Sequence, residues 1–182
     1  DAEILGDDIW VGGSNMSDMQ NWHKLFNYEG DANNTLSSLW TVDYSGIKRC
    51  SDVIKYLGYA AGNLTDANKK WYEMQARTLR VFYYNMLWHY FGNIPFYLTN
   101  MEAPYKAPQL KSDDVYSQLI VELEDILKNG DLPMKMSKTA DYGRVTKAFA
   151  IMMYAEMVMY QNDQSRYATA LTYLNDIIGS KK

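Results

Sequence analysis

The sequence has few of the residues that build disulfide frameworks, metal sites or membrane spans. Its 182 residues include one cysteine, Cys50, and two histidines, His23 and His89. A single cysteine excludes an intramolecular disulfide, and the histidines are too far apart for a His-Glu-x-x-His zinc pair. A transmembrane helix needs roughly 18 consecutive apolar residues. The longest apolar-looking stretch, 148–160, is interrupted by Glu156 and is too short.

Basic residues are fewer than acidic ones: the chain has 18 Lys and Arg and 22 Asp and Glu, which gives a net charge of −4. This balance argues against a nucleic-acid binder, which needs a basic face for the phosphate backbone. A hydrophobic content of 47% argues against intrinsic disorder. The acidity is uneven: residues 1–46 carry eight acids and one base, or −7, whereas residues 47–182 carry fourteen acids and seventeen bases, or +3.

Aromatic residues are plentiful at 14%, with 16 tyrosines and 5 tryptophans. Aromatic side chains suit both helix packing and ligand stacking, so their number alone favours neither. Residues 1–34 show no sustained period and contain glycine- and asparagine-rich turn clusters, which predict irregular loops. Within them, residues 17–26 can form one or two helical turns.

Apolar residues recur at helical spacing after residue 34, and no strand is predicted. Thr65 or Asp66 is a plausible N-cap, Ser112 is read as another, and Gly92 and Pro95 end one helix. Residues 93–111 contain three prolines and predict an extended connection. Short connections favour antiparallel helical pairs in a bundle or a short solenoid. The predicted helices are 35–59, 66–91, 112–129, 146–160 and 165–178.

The predicted helix 146–160 is apolar nearly all round, which is typical of a helix buried between layers. Its four methionines can form an adaptable partner surface, but on such a helix core filling is favoured. They are Met152, Met153, Met157 and Met159.

The N-terminal loops hold the best candidates for a binding site. Trp10 and Trp22 offer flat apolar faces, and Asp7, Asp8 and Asn21 place carboxylates and an amide near them in the sequence. Sugars need both features, because their C–H faces stack on rings and their hydroxyls need directional polar partners. The alternative is that both tryptophans only anchor an irregular loop to the helices.

Motifs for catalysis or for a cofactor are missing from the sequence: it has no nucleophile elbow, Walker loop or dinucleotide fingerprint. Asp7 or Asp8 can be imagined as part of a glycosidase carboxylate pair, but no second carboxylate with a raised pKa is identifiable. The sequence therefore predicts a protein that is not an enzyme and uses no cofactor or metal.

Four ordered segments resemble motifs of the SusD/RagB family, the glycan-binding lipoproteins on the outer membrane of Bacteroidetes-type bacteria. Residues 75–84, continuing to 91–96, are similar to the family's E-A-R-x-L-R-A-x-Y-Y and F-G-D-V-P-L. Residues 143–148, leading to Ala155 and Tyr160, are similar to G-R-A-T-K-x-A-A. The other two matches are Trp40, Tyr44, Ile47 and Arg49, and Val115-Tyr116 through Leu123 to Leu132-Pro133. The chain departs from the family pattern at Gln75, Ser51, Phe149 and Glu156.

The resemblance implies an all-α, tetratricopeptide-like scaffold over residues 35–182, preceded by irregular loops over residues 1–34. It implies that Arg77 and Arg80 make structural hydrogen bonds or ion pairs, and that residues 91–95 form a fixed helix exit. Family members are considerably longer and carry much of the glycan site in a C-terminal portion. We therefore expect this chain to be one domain of a longer SusD-like protein, lacking its lipidated N-terminus.

The resemblance also implies a function, namely a non-enzymatic subunit that captures an oligosaccharide or polysaccharide for nutrient uptake. Such a subunit would sit at the cell surface, on the bacterial outer membrane, through a lipid anchor that this chain does not contain. It would pass glycan to a TonB-dependent SusC-like transporter, as in polysaccharide utilisation. The alternative is a structural helical-repeat adaptor that binds protein partners without contacting glycan. The predicted ligand-binding residues are Asp7, Asp8, Trp10, Asn21 and Trp22.

Overall fold

The computed structural model describes residues 2–6, 8–31, 33, 37–60, 62 and 64–180. It divides into two compact units, residues 1–42 and residues 43–182. Across the described residues there are six α-helices and one two-stranded sheet, and no helix is both long and apolar enough to cross a membrane. The helices are α1 (Gln20–Phe26), α2 (Ser37–Leu57), α3 (Asp66–Phe91), α4 (Ser112–Asn129), α5 (Lys147–Tyr160) and α6 (Tyr167–Gly179).

The smaller unit consists of turns around the short helix α1 and includes the first residues of α2. A 3-10 helix at Ala2–Leu5 lies near its start. The Tyr28 hydroxyl donates a hydrogen bond to the Leu5 carbonyl, and this bond ties the end of α1 to the 3-10 helix. The unit therefore has the irregular character that its glycine and asparagine clusters predict.

The larger unit stacks its helices as antiparallel neighbours. Trp88 near the end of α3 bonds to Ser112 at the start of α4, while Arg77 earlier in α3 pairs with Glu122 further along α4. Tyr154 of α5 likewise donates to Glu124, near the end of α4. This pattern confirms the all-α, tetratricopeptide-like arrangement of helical pairs.

Local signals set most of the helix ends where the sequence predicts them. The Thr65 hydroxyl accepts the Asn68 N–H at 3.2 Å, and the Thr146 hydroxyl accepts the Phe149 N–H at 3.1 Å, so both threonines are N-caps. Gly92 ends α3 with a φ of 65°, a conformation that glycine adopts without steric cost.

The start of α4 corrects the interpretation of Ser112 as an N-cap. Ser112 is the first helical residue, and the Lys111 side chain before it makes no capping bond. The Asn93 side chain instead accepts the Ser112 N–H at 2.9 Å, while the Ser112 hydroxyl accepts the Trp88 indole N–H. The cap comes from a residue 19 positions away, so local sequence could not reveal it.

The connection between α3 and α4 contains two short strands that the sequence did not predict. Strand β1 (Ile94–Pro95) pairs antiparallel with β2 (Gln109–Leu110), with Ile94 opposite Leu110. Ile94 is fully buried. The Tyr44 hydroxyl of α2 donates to the Pro95 carbonyl at 2.6 Å, so the segment that leaves α3 is fixed from two sides.

Helix α5 corrects the expectation of burial on all sides. Met153 and Met157 are buried, but Met152 is 56% exposed and Met159 is 69% exposed. The residues on the exposed arc are Phe149, Met152, Glu156, Met159 and Tyr160. The sequence of a helix that is apolar nearly all round does not indicate which face will be buried. Packing against the neighbouring helices decides which face is covered.

The side-chain amide of Gln75 links α3 to a segment that is distant in the sequence, through both its nitrogen and its oxygen. Its Nε2 donates to the Val145 carbonyl at 2.8 Å, and its Oε1 accepts the Val145 N–H at 3.0 Å. The side chain is almost completely buried. Because both backbone groups of Val145 depend on this amide, Gln75 fixes the approach of the chain to α5.

We expect Gln75→Glu to lower the free energy of unfolding by about 2 kcal/mol, because a carboxylate cannot donate to the Val145 carbonyl. Urea denaturation at pH 7 measures this loss. Gln164→Glu, which makes the same change at an exposed position, is the matched control and should stay within about 0.5 kcal/mol. Equal effects of the two changes would contradict the role given to Gln75.

Candidate functional site

The loop before α1 is organised by its own polar side chains. Gly12 and Gly13 have φ angles of 74° and 96°, which few other residues adopt. The Asp18 carboxylate accepts the Ser14 N–H at 3.1 Å, and the Asn15 side chain accepts the Ser17 N–H at 2.9 Å. Asp18 therefore holds the turn in place.

Met19 sets the direction in which α1 begins. Its φ of 54° is left-handed, and its carbonyl accepts the N–H groups of Trp22 and His23 at 2.9 and 3.2 Å. A methionine in this conformation is uncommon, because its Cβ crowds the backbone. This turn fixes where the side chains of Asn21 and Trp22 lie.

A shallow cleft of about 270 Å³ lies at the start of α1. Its lining residues are Met19, Gln20, Asn21, Trp22 and Ser38. The cleft thus combines an indole with neutral hydrogen-bonding groups, which is the combination that a sugar ring needs. Met19 and Ser38 have no sequence signal for this place, because their positions follow from the turn and from the start of α2.

Trp10 forms a separate aromatic surface against α1. Its ring is 67% exposed and lies edge to face with Phe26, at 4.7 Å between centroids, and with His23 at 6.5 Å. His23 and Phe26 are three residues apart and so share one face of the helix. These contacts hold an exposed indole in a fixed orientation, which lowers the entropy cost of stacking a ligand on it.

The predicted site residues therefore divide into two groups around one short helix. Asn21 and Trp22 line the cleft, whereas Trp10 covers the face that carries His23 and Phe26. Asp8 is exposed in a turn, and Asp7 lies outside the described residues. Sequence reasoning did not find the supporting roles of His23 and Phe26, although their spacing of three is the signal for a shared helix face.

The side chains of this region include aromatic rings, amides and a hydroxyl. Within the part of the chain that the structure describes, no group of three or more His, Cys, Asp or Glu side chains is placed to hold a metal ion. The Asp18 carboxylate already accepts a backbone N–H. The region offers stacking and neutral hydrogen bonds.

Comparison with known proteins identifies solved structures that are similar to this chain. No family model matches the chain, and no curated protein matches it in sequence. Among solved structures, surface glycan-binding protein A from Bacteroides uniformis is 62% identical, with a TM-score of 0.90. That match covers 97% of this chain and 39% of the other. The chain belongs to the SusD/RagB family.

Two other solved surface glycan-binding proteins are also similar to this chain. Surface glycan-binding protein A from Bacteroides thetaiotaomicron, in complex with laminarihexaose, is 46% identical with a TM-score of 0.86, over 97% of this chain and 36% of the other. The protein of the same name from Bacteroides fluxus is 31% identical with a TM-score of 0.87, over 98% and 37%. The chain thus spans less than two fifths of the length of these relatives.

The SusD-like motif residues other than Trp40 lie in the larger unit. Arg77 pairs with Glu122 and Asp125, and Arg80 donates to the Leu98 carbonyl at 2.8 Å. These contacts confirm the structural role that the resemblance implied for both arginines. The SusD-like motifs hold helices and connections together, and the candidate binding residues lie outside them.

Proposed function

We propose that this SusD-like chain belongs to a non-enzymatic glycan-binding subunit of the bacterial cell surface. The subunit is held at the outer membrane by a lipid anchor and delivers its glycan to a TonB-dependent SusC-like transporter. The observation that carries the proposal is 62% identity over 97% of the chain to a surface glycan-binding protein. A 46% identical relative has been solved with laminarihexaose, so we propose a glucan of this kind as the ligand.

The smaller unit supplies physical support for glycan contact at two places. The exposed Trp10 ring can stack on one sugar ring, and the cleft beside Trp22 can hold another with the amide of Gln20 and the hydroxyl of Ser38. Neutral hydrogen-bonding groups suit an uncharged sugar, whose hydroxyls both donate and accept. Asp7 and Asp8 stay proposed ligand contacts of the same region.

We expect laminarihexaose to bind the protein, and the double change Trp10→Ala, Trp22→Ala to weaken binding at least about tenfold, since 1.4 kcal/mol corresponds to a factor of ten. Isothermal titration calorimetry measures the change, with maltohexaose as a hexasaccharide of different linkage. Tyr142→Ala, which removes an exposed ring from the larger unit, is the control and should leave the affinity unchanged.

Each outcome of this titration separates one hypothesis from another. Unchanged affinity in the double variant removes both tryptophans from the site. No binding to any glycan, together with co-purification of the transporter, favours the structural adaptor. Release of shorter sugars from laminarihexaose would instead indicate a glycosidase and contradict the non-enzymatic proposal.

A further inference from the structure

One face of α2 in the larger unit carries a run of exposed aromatic and polar side chains. Lys48, Asp52, Lys55 and Tyr56 lie along one side of the helix, because residues three or four positions apart share a helix face. Tyr59 follows in the turn after the helix ends. We call this face, together with Tyr59 and Asn100, the α2 strip. Its helical part, residues 48–56, extends about 12 Å along the helix axis, which is longer than a single sugar ring.

Two tyrosine rings form the aromatic end of the α2 strip. Tyr56 is 58% exposed and Tyr59 is 75% exposed. Their centroids lie 6.1 Å apart with an angle of 50° between the rings, and the Lys55 ammonium lies 5.8 Å from the Tyr56 ring centre. Both side chains are open to a ligand, and each combines an apolar ring with a hydroxyl that needs a polar partner.

Polar groups held in fixed positions form the other end of the α2 strip. The Lys48 ammonium lies 2.8 Å from the Asp52 carboxylate. The Asn100 amide donates to Asp52 at 2.5 Å and to the Lys48 carbonyl at 3.2 Å. Asn100 comes from the connection after α3, so this tertiary contact fixes the carboxylate in place beside the helix.

The mixture of groups selects one kind of ligand. A carboxylate repels an anionic chain, and ammonium groups repel a cationic one. A sugar hydroxyl can donate to Asp52 and accept from Lys48 at the same time, while the C–H face of the ring packs on tyrosine. An uncharged, hydroxyl-rich chain is therefore complementary to both ends of the strip.

We infer that the α2 strip is a second glycan-contact surface, which binds a neutral linear oligosaccharide along α2. This inference rests on the proposed glycan-binding function but concerns different residues from those of the smaller unit. It assigns a binding role to Tyr56 and Tyr59, with Asp52 and Lys48 as hydrogen-bonding partners.

The test uses laminarihexaose as the probe and the Trp10→Ala, Trp22→Ala protein as the background. Calorimetry on this background should show remaining weak binding, and adding Tyr56→Ala and Tyr59→Ala should weaken it at least about fivefold. Tyr167→Ala, which removes an exposed tyrosine at the start of α6, is the matched control and should have no effect. Urea denaturation of each variant verifies that the fold is intact.

The outcomes separate this inference from the proposed function. If the tyrosine changes leave hexaose binding unaltered while the tryptophan changes weaken it, the α2 strip is not a glycan surface and the proposed function stands. If the unmodified protein binds no glycan, both fail. If the tyrosine changes instead reduce co-purification of the SusC-like transporter with no effect on glycan, the strip contacts protein and the inference is overturned.

Discussion

Replacing Glu122 by alanine should lower the free energy of unfolding by about 3 kcal/mol, because it removes the carboxylate that pairs with the nearly buried Arg80 and leaves Arg77 with Asp125 alone. Glu122 accepts from Arg77 Nε and Nη2, both at 2.8 Å, and from Arg80 Nη2 at 3.4 Å. Asp125 adds a third contact to Arg77 at 2.6 Å. Glu122 is therefore the centre of the ion-pair network between α3 and α4.

The pKa values of these groups show that attraction outweighs burial. Burial alone would raise the pKa of Glu122, but hydrogen bonds and charge from Arg77 and Arg80 hold it below its usual value. The same bonds from Glu122, followed by those from Asp125, raise the pKa of Arg77. A carboxyl group whose pKa is lowered by folding stabilises the protein at pH values above its unfolded-state pKa. This stabilisation is lost as the pH falls through its folded-state pKa.

Urea denaturation at pH 7 measures the loss, and Lys70→Ala is the matched control. Lys70 of α3 pairs with Asp131 just beyond α4 at 2.7 Å, but both side chains are substantially exposed. An exposed pair of this kind contributes about 0–1 kcal/mol. If Glu122→Ala lowers the free energy of unfolding no more than Lys70→Ala does, the network is not what joins these helices.

Arg77→Lys should lower the free energy of unfolding less than Glu122→Ala does. An ammonium keeps the positive charge but loses the bidentate contact with the carboxylate.

Asp43→Asn should raise the free energy of unfolding at pH 8 by about 1–3 kcal/mol, since one pKa unit corresponds to about 1.4 kcal/mol. Asp43 lies in α2 and is 4% exposed, and its Oδ2 has no hydrogen-bond partner among the described residues. Burial raises the pKa of this carboxyl from 3.8 to about 6. An uncharged amide of the same size avoids the cost of ionising the buried acid.

The sign of the pH dependence follows from the raised value. Folded Asp43 keeps its proton up to about pH 6, whereas the unfolded chain releases it near 3.8. The contribution of Asp43 to the free energy of unfolding is therefore complete below its unfolded-state pKa, and it is lost as the pH rises through about 6. Asp43→Asn should remove this loss between pH 4 and pH 8.

Urea denaturation at several pH values measures this difference, with Asp52→Asn as the control on the same helix. Hydrogen bonding from Lys48 lowers the pKa of Asp52, which is the opposite direction. The control should therefore keep the Asp43-dependent loss of stability that we expect between pH 4 and pH 8. A variant Asp43→Asn that keeps the same loss would show that Asp43 does not titrate as a buried acid.

Helix positions were largely predictable because their signals are local. Thr65, Thr146 and Gly92 act within one helical turn, so a short window of sequence contains both the signal and the groups it satisfies. The sequence predicted that α4 begins at Ser112, but it assigned the N-cap to Ser112 itself. Its cap is Asn93, which reaches Ser112 only after the connection between α3 and α4 has folded back.

The candidate site was only partly predictable. Composition and loop position identify Trp10, Trp22 and Asn21 as candidates. They do not indicate that Asn21 and Trp22 line one cleft while Trp10 forms a separate surface. A left-handed Met19 and the contacts of Trp10 with His23 and Phe26 separate the aromatic surface from the cleft. No sequence pattern contains these relations, because they depend on which residues meet across the loop.

The sequence by itself determined the family, the all-α class and the approximate limits of the helices, since motifs, helical periodicity and caps are all local in the chain. Tertiary structure alone decided which face of α5 is exposed and that Gln75 binds the backbone of Val145. It also decided that Asp43 is buried with one oxygen lacking a hydrogen-bond partner among the described residues. Burial and pairing are properties of neighbours brought together by folding. The side chains proposed to meet the glycan depend on this second kind of information.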